Sequence, residues 1–411
     1  MKLYISGISG TGMGPLALMA KNAGLEVVGS DLNAGAILPE LTAAGIEVAI
    51  GPQDGEFLEG QIERGVDWFV YTSALPEDHP ELMMAREHGI KISKRDGLTA
   101  YLVKKLGLKM VAVAGTHGKT TTTAMITFAG LELGLPIAYI VGTTLGFAPS
   151  GSYHDNDRYF IYEADEYDRN FLKYHPWLGV IPAVSYDHPD IYPTEEDYRE
   201  AFAQFESQCE NVVKITTFSG EIALAGEVRR KDAALALEAI MLMAKDAGRD
   251  DIATEKAAEI LSKFPGVGRR FEKIAEGVYS DYAHHPEEIA ATVEIAKEEA
   301  KLRGKKGVVV IYQPHQNTRQ HEVKAGYKDA FLGVTKLFWL PTYLTRENPT
   351  LEILTPENLI GEMENPEIAE PAELNDELVQ KIQHYLQENY LVVMMTAGPA
   401  DKWLRDNFSG A

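Results

Sequence analysis

Met110-Val111-Ala112-Val113-Ala114-Gly115-Thr116-His117-Gly118-Lys119-Thr120-Thr121 governs the reading of the whole chain. Five apolar residues predict a buried strand over 110–114, and the pattern over 122–133 predicts a helix. Between them lies a loop of small and polar residues. Glycines there let backbone N–H groups converge on phosphate, Lys119 supplies a cation, and the Thr120 hydroxyl suits a magnesium ion. Gly115, Thr116, His117, Gly118, Lys119, Thr120 and Thr121 are therefore the candidate ATP-phosphate residues. Val113 stands where the eight-residue Walker pattern has its first glycine, so this is a shortened P-loop.

A phosphate-bound Mg²⁺ also needs carboxylate or similar ligands. A strand expected over 158–162 runs into Glu163-Ala164-Asp165-Glu166, at the carboxyl end where an α/β sheet presents ligand-binding groups. Further on, Tyr186-Asp187-His188-Pro189-Asp190 follows an apolar stretch over 178–184. Glu163 and His188 join Thr120 as metal candidates, and Lys119, Glu163 and His188 form the expected catalytic set.

The same unit, a strand, a Gly, Pro or Thr loop and a helix, recurs along the chain and predicts an α/β fold with largely parallel sheets. It first occurs as a strand over 2–6, a loop from Gly7 to Gly14, a helix to Asn22 and a strand over 26–29. Gly7, Gly10 and Gly12 with Asp31 make a dinucleotide-type signal of displaced spacing, Gly-x-x-Gly-x-Gly, which leaves a nicotinamide dehydrogenase open as an alternative. The diphosphate of a nucleotide sugar on the same helix N-terminus accounts for both loops. A basic Leu/Gly stretch over 104–109 reads as a linker, and Phe264-Pro265-Gly266-Val267-Gly268 reads as a hinge. Beyond it, strands are expected over 307–312, 336–340 and 391–396, with a helix from Pro286 to about Lys301. The count is three domains.

The 411 residues carry a formal charge of −22, from 61 acidic against 39 basic side chains, which argues against nucleic-acid or anionic-membrane partners. Cys209 is the single cysteine, so no internal disulfide is possible. No apolar run approaches the roughly 20 residues that span a bilayer, and Lys2 leads directly into a strand and glycine loop. A reducing, cytoplasmic setting is the expectation.

Several further motifs join the P-loop: Gly7 to Met13 with Ser30-Asp31, Thr72-Ser73-Ala74 with Pro76-Glu77, and Glu163 to Asp168 followed by Asp187-His188. Others are Gly268-Arg269-Arg270-Phe271, Asp281 to Pro286, and Gln313-Pro314-His315 with Arg319. In order and spacing this set resembles the Mur ligases of peptidoglycan synthesis, and within them the members that join L-alanine to UDP-N-acetylmuramate. The resemblance implies a Rossmann-like UDP-sugar domain (1–108), a central P-loop ATPase domain with a mostly parallel sheet (109–267), and a C-terminal Rossmann-like domain (268–411). It implies ATP and Mg²⁺ as cofactors, and UDP-N-acetylmuramate and an amino acid as small-molecule substrates. Lys119 and Thr120 would hold the ATP phosphates, Glu163 and His188 the metal, and His285 and Arg319 would lie near the nucleotide. Ser9, Gly10, Thr11, Gly12, Asp31 and Ser73 would bind the nucleotide sugar.

The chain departs from the family pattern at four points. The span from His188 to Arg269 is short, and Gly226 to Asp232 lacks the histidine and asparagines of Gly-x-His-Asn-x-x-Asn. Gln316 replaces an arginine, and Thr396 to Asp401 stands in place of Gly-Ala-Gly-Asp. A tripeptide-attaching relative and a catalytically weakened nucleotide-binding homologue stay open beside the alanine-adding reading.

Overall fold

Apolar β-branched runs set the strands. In the computed structural model, which describes all residues except 73, 187–190, 215–219, 345, 346, 349 and 409–411, they form three sheets. The first contains β1 (Lys2–Ser6), β2 (Glu26–Asp31), β3 (Glu47–Ile50), β4 (Trp68–Tyr71) and β5 (Lys91–Lys94). Its order is β3-β2-β1-β4-β5 and every pair is parallel. That is Rossmann-like winding, in which the strand order reverses beside β1 and opens a crevice at the carboxyl ends.

The second sheet contains β6 (Lys109–Val113), β7 (Ile137–Ile140), β8 (Gly151–Ser152), β9 (Tyr159–Glu163), β10 (Leu178–Val180) and β11 (Asn211–Val213). It runs β11-β10-β6-β9-β7-β8, parallel except between β7 and β8. The third contains β12 (Glu272–Ala275), β13 (Val278–Asp281), β14 (Val308–Gln313), β15 (Lys336–Trp339), β16 (Ala369–Pro371) and β17 (Leu391–Thr396). It runs β12-β13-β17-β14-β15-β16, parallel apart from the β12/β13 pair. The α/β class with mostly parallel sheets is thus observed.

The chain forms two units: 1–223 with 228–264, and 224–227 with 265–411. The first unit holds two sheets because they share one core, in which Leu16, Trp68, Met110, Phe160 and Phe205 belong to a single buried cluster. The Glu40 carboxylate accepts from the Ser150 amide at 2.6 Å and its hydroxyl at 2.8 Å. Gly151 packs so closely on the helix Met13–Asn22 that an added Cβ would lie 2.0 Å from the Pro15 carbonyl oxygen. The glycine loop after β1 and the P-loop after β6 therefore belong to one packed body. In the second unit separate buried clusters line the third sheet, one including Tyr312, Trp339 and Val393, the other Val309, Phe338 and Met394.

Beneath the first crevice lies a buried polar network. The Glu81 carboxylate accepts from the Tyr4 hydroxyl at 2.5 Å, Ser6 at 2.6 Å and Ser30 at 2.8 Å. It ties the carboxyl ends of β1 and β2 to the helix Pro80–Glu87 and holds the floor on which the glycine loop turns. Burial and the neighbouring Glu81 push the Tyr4 hydroxyl far above its ordinary range, so it remains a donor.

Some expected boundaries move for identifiable reasons. The stretch over 104–109 is mostly the end of the helix Arg95–Leu106, closed by Gly107 at φ 65°, and β6 begins at Lys109. Only Gly107 and Leu108 separate that helix from β6. The apolar run over 178–184 is a strand only as far as Val180, and Pro182 follows. β2 extends beyond residue 29 to include Ser30 and Asp31, and β9 includes Glu163 as its last residue.

Candidate active site

β6 sits between β10 and β9, with Val113 paired to Val180 on one side and Glu163 on the other. The register places the loop after β6 and the Glu163 carboxylate at the same sheet end. The loop is pinned by its neighbours: the Ala114 amide donates to Val180 O at 2.9 Å and the Thr116 amide to Ala183 O at 2.8 Å. The Thr116 hydroxyl donates to Ser185 O at 2.7 Å and shares a 2.7 Å hydrogen bond with the Tyr198 hydroxyl.

Gly118 caps the next helix with φ 81°, a left-handed conformation natural to glycine. This cap starts the helix at Lys119 (Lys119–Glu132), earlier than the expected 122, so Lys119 and Thr120 occupy the first turn where unpaired amides face an anion. A Cβ at Gly118 would lie 2.8 Å from Asp232 Oδ1, and one at Gly115 would lie 2.7 Å from Ala183 O. Both glycines are thus fixed by close approach. His117 is exposed on the loop, and Thr121 is half-buried in the first turn.

Lys119 Nζ donates to Gly115 O at 2.6 Å and pairs with Glu166 at 2.8 Å. The Thr120 hydroxyl donates to Glu163 Oε1 at 3.0 Å. Burial raises the Glu163 carboxyl pKa, opposed by the Thr120 hydrogen bond and the Lys119 charge. A hydroxyl and a carboxylate side by side at a phosphate loop form an oxygen donor set suited to a hard divalent cation that takes its other ligands from phosphate and water. The residues present fit magnesium.

The sequence candidates Lys119, Thr120 and Glu163 are brought together. His188 lies outside the described residues, as does Ser73. Two groups beside the loop were not among the sequence candidates. Glu166 is 1% exposed and pairs with Lys119. Asp232 is buried against Gly118, and burial pushes its carboxyl up to about 7 against the pull of Arg229. The signal for Glu166 was present in the acidic cluster, and that for Asp232 in the altered stretch 226–232.

In the first sheet the Gly7 and Ile8 amides donate to Ser30 O at 2.8 and 3.1 Å, wrapping the loop over β2. Asp31 Oδ2 accepts from the Ser9 amide at 2.8 Å, so this carboxylate holds the loop itself. Gly10 closes the turn onto Gly7 O at 3.2 Å, and Gly12 caps the helix Met13–Asn22. Among the described residues no backbone carbonyl accepts from the Thr11 or Gly12 amide. The Ser9 hydroxyl is buried with no partner among the described residues.

In the second unit the motifs seen in sequence converge at the carboxyl ends of β13, β14 and β17. Buried Asp281 accepts from the Phe271 amide at 2.7 Å and the Ala283 amide at 2.8 Å, joining two motifs. Arg269 lies over the Tyr282 ring at 4.7 Å and donates to Thr396 O. The His284 and His315 rings are 5.9 Å apart, and His285 caps the helix Pro286–Leu302. Burial first, then Arg319 and His284, lowers the His315 pKa and favours its neutral form. Among the described residues no group partners the buried Arg319 Nη1. Gln316, in place of the family arginine, adopts φ 63° and its amide donates to Tyr343 O at 2.9 Å.

The family models described as "Mur ligase family, catalytic domain" and "Mur ligase middle domain" match residues 2–105 and 113–259. A UDP-N-acetylmuramate–L-alanine ligase of Fusobacterium nucleatum is 30% identical, the alignment covering 87% of this chain and 86% of that one. One of Lactobacillus delbrueckii subsp. bulgaricus is 29% identical over 98% of this chain and 96% of its own. Among solved structures, the UDP-N-acetylmuramate-alanine ligase of Thermotoga maritima superposes with a TM-score of 0.75 at 23% identity, covering 99% of this chain and 98% of that one. A murein peptide ligase of Psychrobacter arcticus gives 0.56 at 21% identity, with the same coverage. These two likenesses concern the fold. Two consecutive family domains, relatives at 30% identity over most of both chains and a P-loop built as described place this chain in the Mur ligase family of enzymes.

Proposed function

We propose that the chain joins L-alanine to the carboxylate of UDP-N-acetylmuramate, converting ATP to ADP and phosphate. The observation that carries this reading is the pairing of Lys119 and Thr120, in the first turn after the P-loop, with the acidic end of β9. The relatives named for that reaction support the choice of substrates.

A carboxylate is a poor acyl donor because oxide would have to leave. Attack of a carboxylate oxygen on the γ-phosphorus gives an acyl phosphate and ADP. The amine then attacks the carbonyl carbon, loses a proton, and phosphate leaves with the electrons of the broken C–O bond. Protein assistance is mainly positioning and electrostatics. Lys119 moves from Glu166 to the β- and γ-phosphates, and amides of the loop hold the phosphate oxygens. Thr120 and Glu163, with His188, hold Mg²⁺, which screens phosphate charge when bound. Gly115, Thr116, His117, Gly118 and Thr121 complete the ATP cradle. Ser9, Gly10, Thr11, Gly12, Asp31 and Ser73 serve the nucleotide sugar, with Asp31 acting through the Ser9 amide. His285 and Arg319 are assigned to nucleotide binding. A division into domains at 1–108, 109–267 and 268–411 gives every domain a single sheet.

ADP release should require UDP-N-acetylmuramate and an amino acid together, in buffered Mg²⁺, with L-alanine preferred over glycine, L-serine and a cell-wall tripeptide. Preference for the tripeptide would transfer the chain to the murein-peptide reading. ATP binding without turnover on any acceptor would make it a binding protein.

A further inference from the structure

We infer that Arg95 clamps the diphosphate of the nucleotide-sugar substrate against the first glycine loop, an inference that rests on the substrate reading above. Arg95 opens the helix Arg95–Leu106 directly after β5, at the carboxyl end of the first sheet. Its guanidinium lies on the loop residue that caps the helix Met13–Asn22: a Cβ added to Gly12 would sit 2.3 Å from Arg95 Nη1. Glycine at position 12 therefore leaves the space that the guanidinium fills.

The charge has a second neighbourhood. Tyr162 first, then Tyr174, Asp165 and Glu163, hold Arg95 above its ordinary pKa, and Glu163 feels Arg95 in return. Arg95 thus stands between the glycine loop and the acidic end of β9. Among the described residues no carboxylate lies within 4.0 Å of its guanidinium, although the group is half-buried. A half-buried cation without an ion-pair partner carries a desolvation cost that a visiting anion offsets.

The scaffold role at this junction belongs to the next residue. Asp96 pairs with Lys173 at 2.7 Å and ties the helix start to the 3₁₀ turn Tyr167–Lys173 that follows β9. Arg95 has no such ion-pair partner among the described residues and is available to a ligand. On the same loop Ser9 is 6% exposed, and its hydroxyl is a second polar group without a partner among the described residues. A guanidinium fork facing a helix N-terminus matches two linked phosphates, which present parallel oxygens. ATP is the poorer candidate, because the P-loop has its own cation in Lys119.

The test uses the full chain and UDP as probe, so that binding is read without turnover. Titration calorimetry should show Arg95→Met weakening UDP binding by about 30- to 100-fold, the scale of a charged hydrogen-bonded pair. The KM for UDP-N-acetylmuramate should rise in parallel, while the KM for ATP and the melting temperature without ligand stay near wild type. Arg95→Lys, which keeps charge but loses the fork, should recover only a fraction of the affinity. Wild-type UDP affinity in Arg95→Met overturns the inference alone. Equal losses of UDP affinity, ATP affinity and stability also overturn it, by making Arg95 a scaffold residue. A wild-type chain that binds no UDP overturns the substrate reading and this inference with it.

Discussion

Replacing Lys119 by alanine is expected to slow ADP release by about a thousand-fold or more, the scale of losing a principal charge-stabilising donor at a transferred phosphoryl group. Lys119 lies in the first helical turn after the loop, 16% exposed, with its ammonium on Gly115 O and the Glu166 carboxylate. In the proposed function it exchanges the carboxylate for phosphate oxygens when ATP enters. The substitution has a second effect, because Glu166 is 1% exposed and loses its Lys119 charge. Breaking such a pair costs about 3–5 kcal/mol in a buried setting. The Lys119→Ala/Glu166→Gln double variant removes both charges. It should melt near wild type and remain as inactive as the single variant, which separates chemistry from folding. ADP release within tenfold of wild type from the folded double variant would sink the role given to Lys119.

Asp232→Asn is expected to stabilise the protein at alkaline pH and to change little in acid. Burial raises the Asp232 carboxyl from 3.8 to about 7, so the folded chain retains a proton that the unfolded chain has released. The stability this contributes is full below the unfolded value of 3.8 and is lost as pH rises to about 7. Asparagine has the shape of the neutral acid and does not titrate. From pH 5.5 to 8 the advantage of the variant should grow by about 2 kcal/mol, from 1.36 kcal/mol per pKa unit. Melting curves at the two pH values check this. An advantage that is constant or falls with pH contradicts the assignment of Asp232 as a buried, protonated wall of the P-loop.

What could be read from the chain was whatever is contiguous. The apolar run before Gly115 and the lysine and threonines after it define the strand, loop and helix start without help from distant residues. The Rossmann-like winding of the first sheet rested on the resemblance, since no local pattern specifies that β1 lies between β2 and β4. The helix start at Lys119 was placed late because the cap depends on the left-handed geometry of Gly118, which adjacent threonines obscure in sequence. Arg95 carried no signal at all: only the packing of the helix after β5 against the loop after β1 brings residues 95 and 12 together. Asp31, expected among the nucleotide-sugar residues, has its carboxylate on the Ser9 amide, a contact that no local sequence pattern signals.

Carboxylate activation is tested most directly by the fate of the carboxylate oxygens. UDP-N-acetylmuramate carrying ¹⁸O in both carboxylate positions, turned over with ATP and L-alanine, should release phosphate in which every molecule holds one ¹⁸O. Amide formed together with phosphate free of the label would contradict the account.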